Sequence, residues 1–349
     1  MPHRHKSRCL AVAKPHLIAA LLPALLLLPS LVIPQSAPPP PGKLVNVGNH
    51  RIHFLCSGAG APTVVVENGL GDFSTDWSLV QSRVEKFTRI CTYDRAGYAW
   101  SEPGPFPRTF DQLNLELHEG LKALNERGPF ILVGHSFGGP VIRHYVSLYP
   151  DEVAGMVLVD APHEDQRIPM GPHAARIRDS ATGRPLPTPH LEMELSEKSA
   201  NPSPPAPPSA ESPSAEPLDP PHLKLSKQNQ RIDLWAGAQP SLAAAENSQK
   251  EWSSEYLAHQ HATPQKGILG AIPLIVLTRT QGYTRDLDVP ASQLEQERLS
   301  TQRLLAALST NSLQILVPGG HQMHLESPDA VASAIQRVVL AVRAKSPLR

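Results

Sequence analysis

Apolar positions along this chain fall into two alternating patterns. Continuous runs rich in β-branched residues occur at Val64-Val65-Val66 after Thr63, at Ile131-Leu132-Val133, at Val157-Leu158-Val159, and at residues 272–277 and 313–317. Such runs suit strands buried on both faces. Between them the apolar residues recur at helical spacing. Leu113, Leu117, Leu121 and Leu124 do so within residues 110–126, and similar patterns cover residues 141–148, 294–308 and 330–342. Upstream, Val45, Val47, Ile52 and Phe54 flank Gly48-Asn49, which predicts an antiparallel hairpin over residues 45–56. Strands alternating with helices predict an α/β fold, a mostly parallel central sheet with helices on both faces.

One stretch breaks the alternation. Residues 163–267 carry no strong strand signal and contain a Pro/Ser/Ala-rich tract over residues 201–221, too poor in apolar residues to build a core and therefore expected to be disordered. Residues 227–258 have scattered helical signals, including Ile232, Leu234, Trp235 and Tyr256. The expected organisation is a core of residues 43–162 and 268–349 interrupted by a cap insertion of residues 163–267, with helices lying as a lid over the sheet.

The first 42 residues differ from the rest. Arg4, Lys6, Arg8 and Lys14 precede an uncharged apolar run over residues 17–33, and four consecutive prolines follow at 38–41. This reads as an uncleaved membrane anchor or a signal peptide joined to the core by a Pro-rich linker. In either case the basic start stays inside and the domain is exported, tethered to the membrane or secreted. Lys+Arg and Asp+Glu are both 32, so no single-sign field favours nucleic acid. A hydrophobic content of 40% is enough for a globular core.

The chemistry concentrates at Phe130-Ile131-Leu132-Val133-Gly134-His135-Ser136-Phe137-Gly138-Gly139, a buried strand followed by G-x-S-x-G and then a helix. Glycines at 134 and 138 permit a tight strand-to-helix turn that lifts the Ser136 hydroxyl above the sheet edge. The competing reading makes Ser136 an ordinary helix N-cap.

With this motif in place, the chain resembles the α/β-hydrolase fold family over roughly residues 43–162 and 268–345. Its last segment agrees, because Val317-Pro318-Gly319-Gly320-His321-Gln322-Met323-His324-Leu325-Glu326-Ser327-Pro328 is similar to the family's final-strand loop, where a Gly-His precedes Glu-x-Pro and a helix. The resemblance implies Ser136 as nucleophile and His321 as general base, with His324 as the competitor and His135 as a packing and hydrogen-bonding residue. Thr92 to Ser101 is similar to the family's Asp-x-Arg-Gly-x-Gly-x-Ser turn with shifted glycine, which gives Asp94 and Arg95 a structural role. The implied oxyanion donors are the backbone N–H groups of Leu70 and Phe137, with Asn68-Gly69 where relatives commonly carry His-Gly. Relatives that open epoxides or cleave carbon–halogen bonds use an aspartate nucleophile, so Ser136 implies acyl transfer to water.

The triad acid remains open at this level. Most of the family places it after the seventh strand, but here Leu277 runs into Thr278-Arg279-Thr280-Gln281-Gly282 without one, and Asp286 comes late. Asp160, at the tip of the sixth strand, is the stronger candidate, with Asp286 the alternative and Asp288, Glu164 or no acid at all behind it. The family's sheet also sets the second and fourth strands side by side, which makes Cys56 and Cys91 a candidate disulfide. The implied activity is hydrolysis of small to medium carboxylic esters through an acyl-serine, with no metal or organic cofactor. Amide, thioester, lactone or carbon–carbon cleavage on the same triad is the alternative, as is an inactive anchored binding protein.

Overall fold

A computed structural model describes residues 37–191, 218–263 and 266–349. The apolar run at 17–33 and most of the Pro-rich tract at 201–221 lie outside the described residues. Among those described, no helix is long and apolar enough to cross a membrane.

The chain opens with the expected hairpin, β1 (Lys43–Val47) and β2 (His50–Ser57), paired antiparallel. There follow β3 (Val64–Glu67), α1 (Ser78–Val84), β4 (Ile90–Tyr93), α2 (Phe110–Ala123), β5 (Phe130–His135), α3 (Gly138–Leu148) and β6 (Val153–Val159). After an insertion, β9 (Leu274–Arg279), α6 (Ala291–Ala306), β10 (Ser312–Val317), α7 (Met323–Glu326) and α8 (Pro328–Ala344) complete the core. The insertion itself contains β7 (Arg167–Met170), β8 (His173–Arg176), α4 (Lys227–Gly237) and α5 (Pro240–Ala262). Eight strands form one sheet in the order β1-β2-β4-β3-β5-β6-β9-β10, antiparallel through β1, β2 and β4 and parallel from β4 onward.

The continuous apolar runs are explained by this sheet, because alternate residues of each central strand feed opposite layers. Val65, Leu132, Met156, Leu158 and Val276 pack with Leu117, Leu121, Ile142, Tyr145 and Leu305 of α2, α3 and α6. Val64, Val66, Ile131, Val133, Val157 and Ile275 pack with Val80, Val84, Ile335 and Val338 of α1 and α8. Full burial of each such side chain contributes about 1.5–3 kcal/mol relative to exposure. The parallel strands all end at one edge, and that edge carries the candidate site.

In the insertion the structure departs from the sequence reading. β7 and β8 form a short antiparallel hairpin where no strand was expected, joined by Gly171-Pro172 with Gly171 at φ +65°, the positive value that a two-residue hairpin loop can require at its first position. Arg167 fixes it to α6 through its N–H and Nε, which donate to Glu297 at 2.9 and 2.7 Å. Pro220 and Pro221, placed by the sequence at the end of a disordered tract, begin a 3-10 helix over Pro220–Lys224. The helical part of the cap agrees with expectation. Ser226 caps α4 by accepting from Asn229 N–H at 3.1 Å, and α5 crosses the core, with Gln260 donating to the Pro140 carbonyl at 3.0 Å and Ser248 accepting from Arg108 N–H at 2.9 Å.

Cys56 and Cys91 stand directly opposite each other in β2 and β4 and are joined by a disulfide. The bond closes a loop with a sequence separation of 35. Restricting the unfolded chain in this way contributes about 3–4 kcal/mol. Double replacement of Cys56 and Cys91 by alanine should therefore lower the urea-unfolding free energy by about that amount. An unchanged midpoint would mean that the bond adds nothing to the fold.

Candidate active site

The turn between β5 and α3 places Ser136 with φ +48°, outside the region that serine normally adopts. Gly138 makes the turn possible, since a Cβ there would lie 2.2 Å from the Glu67 carbonyl oxygen at the end of β3. The start of α3 can thus approach the loop that follows β3. Ser136 N–H donates to the Val159 carbonyl at 3.1 Å, which links the elbow to the end of β6.

Three sequence-predicted residues are brought into one hydrogen-bonded chain. His321 Nε2 lies 2.9 Å from Ser136 Oγ, and His321 Nδ1 lies 2.6 Å from Asp160 Oδ2. Asp160 follows β6 directly, has φ +42°, and is 7% exposed. Its N–H donates to the Leu277 carbonyl at 2.9 Å, so the carboxylate is mounted between the ends of two neighbouring strands. Burial pushes this carboxyl up, but the hydrogen bond from His321 and the charges of His321, Arg279 and Arg298 outweigh it and hold the carboxyl below its ordinary range.

The competing acids are engaged elsewhere. Asp286 is exposed and accepts from Ala291 N–H at 2.8 Å at the start of α6, while Asp288 accepts from Ala174 N–H at 2.8 Å. Glu164 is buried against Arg143 at 2.8 Å. His324 is fully buried and stacked on Trp77 with ring centroids 4.8 Å apart, and it makes no hydrogen bond to Ser136.

Leu70 and Phe137 line the same cavity as Ser136 and His321. The loop carrying Leu70 is held from behind by Arg95, as the sequence reading expected of a structural arginine. Arg95 Nε donates to Glu67 at 2.6 Å and Nη1 to the Gly69 carbonyl at 2.9 Å, with a further bond to the Asn68 carbonyl. Asp94 accepts from Ser74 N–H at 2.7 Å and faces His53 Nδ1 at 2.7 Å. The cavity measures about 430 Å³ and is walled by Phe110, Phe137, Ile168 and Leu257, with Gln166, Ser253 and Tyr283 as polar groups. That is within the range of small-molecule sites, about 300–1,000 Å³.

The sequence patterns gave no role at the site to two groups that border it. Arg279 occupies the tip of β9, where the resemblance leads one to look for an acid, and its Nε is 3.0 Å from Asp160 Oδ2. Arg298 on α6 stands 3.5 Å from Asp160 Oδ1 and is anchored by Glu295. The basic residue at position 279 was itself the signal, because a strand tip beside a buried carboxylate must offer it a partner or leave it bare. The second group is Asp72 with His135. Asp72 Oδ2 accepts from Gly69 N–H at 3.1 Å and faces His135 Nδ1 at 2.9 Å, and His135 Nε2 donates to the His321 carbonyl at 3.0 Å. Burial lowers the His135 ring's affinity for a proton, but the hydrogen bond and charge of Asp72 outweigh it and the pKa is raised. The pair ties the Leu70 loop to the backbone of His321.

Among curated proteins, the chain is 34% identical over 103 residues to the uncharacterized protein YqjL of Bacillus subtilis, covering 30% of this chain and 41% of that one. It is 26% identical over 133 residues to the 2-hydroxy-6-oxo-6-(2'-aminophenyl)hexa-2,4-dienoic acid hydrolase of Metapseudomonas resinovorans, covering 36% of this chain and 46% of that one. The aligned stretches span less than half the length of either relative. Among solved structures, a thermophilic esterase from Thermogutta terrifontis superimposes with a TM-score of 0.57 at 16% identity, covering 85% of this chain and 97% of the esterase. The enol-lactonase of Burkholderia xenovorans LB400 does so with a TM-score of 0.56 at 15% identity, covering 85% and 100%. At these identities the structural likeness speaks for the fold alone. The model of the alpha/beta hydrolase family matches residues 63–334, which include the elbow, Asp160 and His321, and the chain belongs to that family.

Proposed function

We propose that this protein is a serine hydrolase that cleaves small to medium carboxylic esters through an acyl-serine intermediate. The observation that carries this reading is the hydrogen-bonded chain Ser136–His321–Asp160, at 2.9 and 2.6 Å, opening onto an apolar cavity of about 430 Å³. In the proposed cycle His321 Nε2 takes the Ser136 proton as Oγ attacks the acyl carbon. Charge gathers on the former carbonyl oxygen, where the N–H groups of Leu70 and Phe137 receive it. His321, now positive and steadied by Asp160, returns its proton to the departing alcohol. Water then repeats the sequence on the acyl-serine and frees the acid. A serine rather than an aspartate at the elbow favours this chemistry over epoxide opening.

The apolar wall also bears on the substrate. Phe110, Phe137, Ile168 and Leu257 leave room for an acyl chain, while the charged lining groups, Arg279 and Asp160, are paired with each other, so selectivity should follow chain length. A panel of p-nitrophenyl esters from acetyl to dodecanoyl tests this. The expected kcat/KM rises to an optimum at short to medium chains and falls beyond it, with amides and lactones hydrolysed more slowly. A flat profile across the panel, or rates at the buffer background, would overturn the assignment. Export of the domain is part of the proposal, supported by the basic, apolar leader and by the Cys56–Cys91 bond, which suits an oxidising compartment.

A further inference from the structure

Behind the Leu70 loop lies a buried group of carboxylates and imidazoles that the proposed reaction does not use in full. Asp72, Asp76 and His222 each offer one ligand atom, and these atoms lie within 4.8 Å of one another. Asp72, His135 and His324 form a second such group that shares Asp72. Asp72 is 5% exposed, Asp76 1% and His324 0%.

The cluster is compensated only in part. Among the described residues Asp76 Oδ1 and both ring nitrogens of His324 are buried without a hydrogen-bond partner. A third carboxylate, Asp233 on α4, sits 4.0 Å from His222 Nε2 and within hydrogen-bonding reach of Asp76. No lysine or arginine among the described residues pairs with Asp72, Asp76 or Asp233; Asp72 is paired with His135, and Asp233 lies 4.0 Å from His222. Asp72 is met by His135 and Gly69 N–H, and Asp76 Oδ2 accepts from Phe73 N–H at 2.7 Å, but Asp76 Oδ1 and the imidazole of His324 are left without a partner, which is costly in a buried site. A divalent ion answers both demands, since it takes carboxylate oxygen and imidazole nitrogen together.

We propose that Asp72, Asp76 and His222 bind a single divalent transition-metal ion of the zinc type, next to the unpartnered ring of His324. Mixed oxygen and imidazole donors suit zinc better than calcium or magnesium, which favour oxygen ligands. The ligands come from distant parts of the chain. Asp72 lies in the loop after β3 and Asp76 in the 3-10 helix Ser74–Trp77 that follows it, whereas His222 belongs to the cap segment that rejoins the described chain at residue 218. The ion would therefore pin the cap to the core and, through Asp72 and His135, steady the Leu70 loop and the backbone of His321. Its role is structural, and it takes no part in the bond-making steps above.

The test uses the full chain, stripped with chelator and then titrated with Zn(II) by calorimetry, with stoichiometry checked by elemental analysis after gel filtration. The expected result is one zinc per chain at a site whose affinity falls at least tenfold in both His222→Ala and Asp76→Asn. Stoichiometric zinc should also raise the thermal midpoint of the wild type and not that of His222→Ala. His222 lies at the rim of the cluster, with 13% of its side chain exposed, so this variant keeps the core intact if Asp76→Asn does not fold. Absence of stoichiometric binding, or binding unaffected by His222→Ala, would overturn the proposal and leave a proton shared between Asp76 and Asp233 as the occupant. Because the readouts are binding and stability, the outcome is independent of whether Ser136 acts as a nucleophile.

Discussion

Replacing Ser136 with alanine is expected to lower kcat for any ester substrate by about 10⁶-fold while leaving the fold and KM almost unchanged. Only the hydroxyl is removed, and no described backbone contact of the elbow depends on it. Ser136 N–H still donates to the Val159 carbonyl at 3.1 Å, and Gly139 N–H still donates to the Ser136 carbonyl at 2.9 Å. What is lost is the whole covalent route, because His321 then has no proton to accept from a group held against the substrate. In serine enzymes that act through such a unit, loss of the nucleophile costs about as much as loss of every member together, and what remains comes from the oxyanion donors and binding. Steady-state kinetics on a p-nitrophenyl ester, with circular dichroism to establish folding, measure the effect. A folded variant retaining more than about a hundredth of the wild-type rate would show that the ester is being cleaved by another group.

Asp160→Asn should lower kcat by about 10⁴-fold, since an amide can no longer fix the tautomer of His321 or stabilise its positive form. Asp286→Asn should leave the rate near wild type, because Asp286 accepts only the Ala291 N–H at the start of α6. The asparagine at 160 has a second consequence. It leaves Arg279 and Arg298 facing a neutral group where each had a carboxylate oxygen at 3.0 and 3.5 Å. Arg298 keeps Glu295, so the destabilisation should fall below the roughly 3–5 kcal/mol seen when a buried pair loses its partner outright. Rates must therefore be compared at a temperature where both variants are folded. A near-normal rate in Asp160→Asn, or a deep loss in Asp286→Asn, would transfer the role of the acid.

The central sheet could be read from sequence because its strands are buried on both faces, and a strand such as Val64-Val65-Val66 must then be apolar at every position. The elbow was legible for a similar reason. Close approach of α3 to the end of β3 admits glycine at 138, and that demand leaves a mark in the sequence. Asp160 was legible only in part, since strand tips β6 and β9 both reach the same sheet edge, and only the fold decides which carboxylate meets the ring of His321. The β7–β8 hairpin left little trace. Its strands, Arg-Ile-Pro-Met and His-Ala-Ala-Arg, are short and lack an apolar alternation, and they are held by a contact to Glu297 from far along the chain. The same holds for Arg279, Arg298 and the Asp72–His135 pair, whose partners lie between 63 and 138 residues away in sequence. Periodicity records what an element buries, and it carries no record of which charges meet across the fold.

The most direct test of the proposed function is the mass of the protein after brief exposure to a fluorophosphonate, followed by peptide mapping. A single adduct per chain is expected, carried by the peptide containing Ser136, absent in Ser136→Ala and slowed in a variant lacking His321. Folded protein that takes up no adduct, or takes it up equally in Ser136→Ala, would contradict the proposed function.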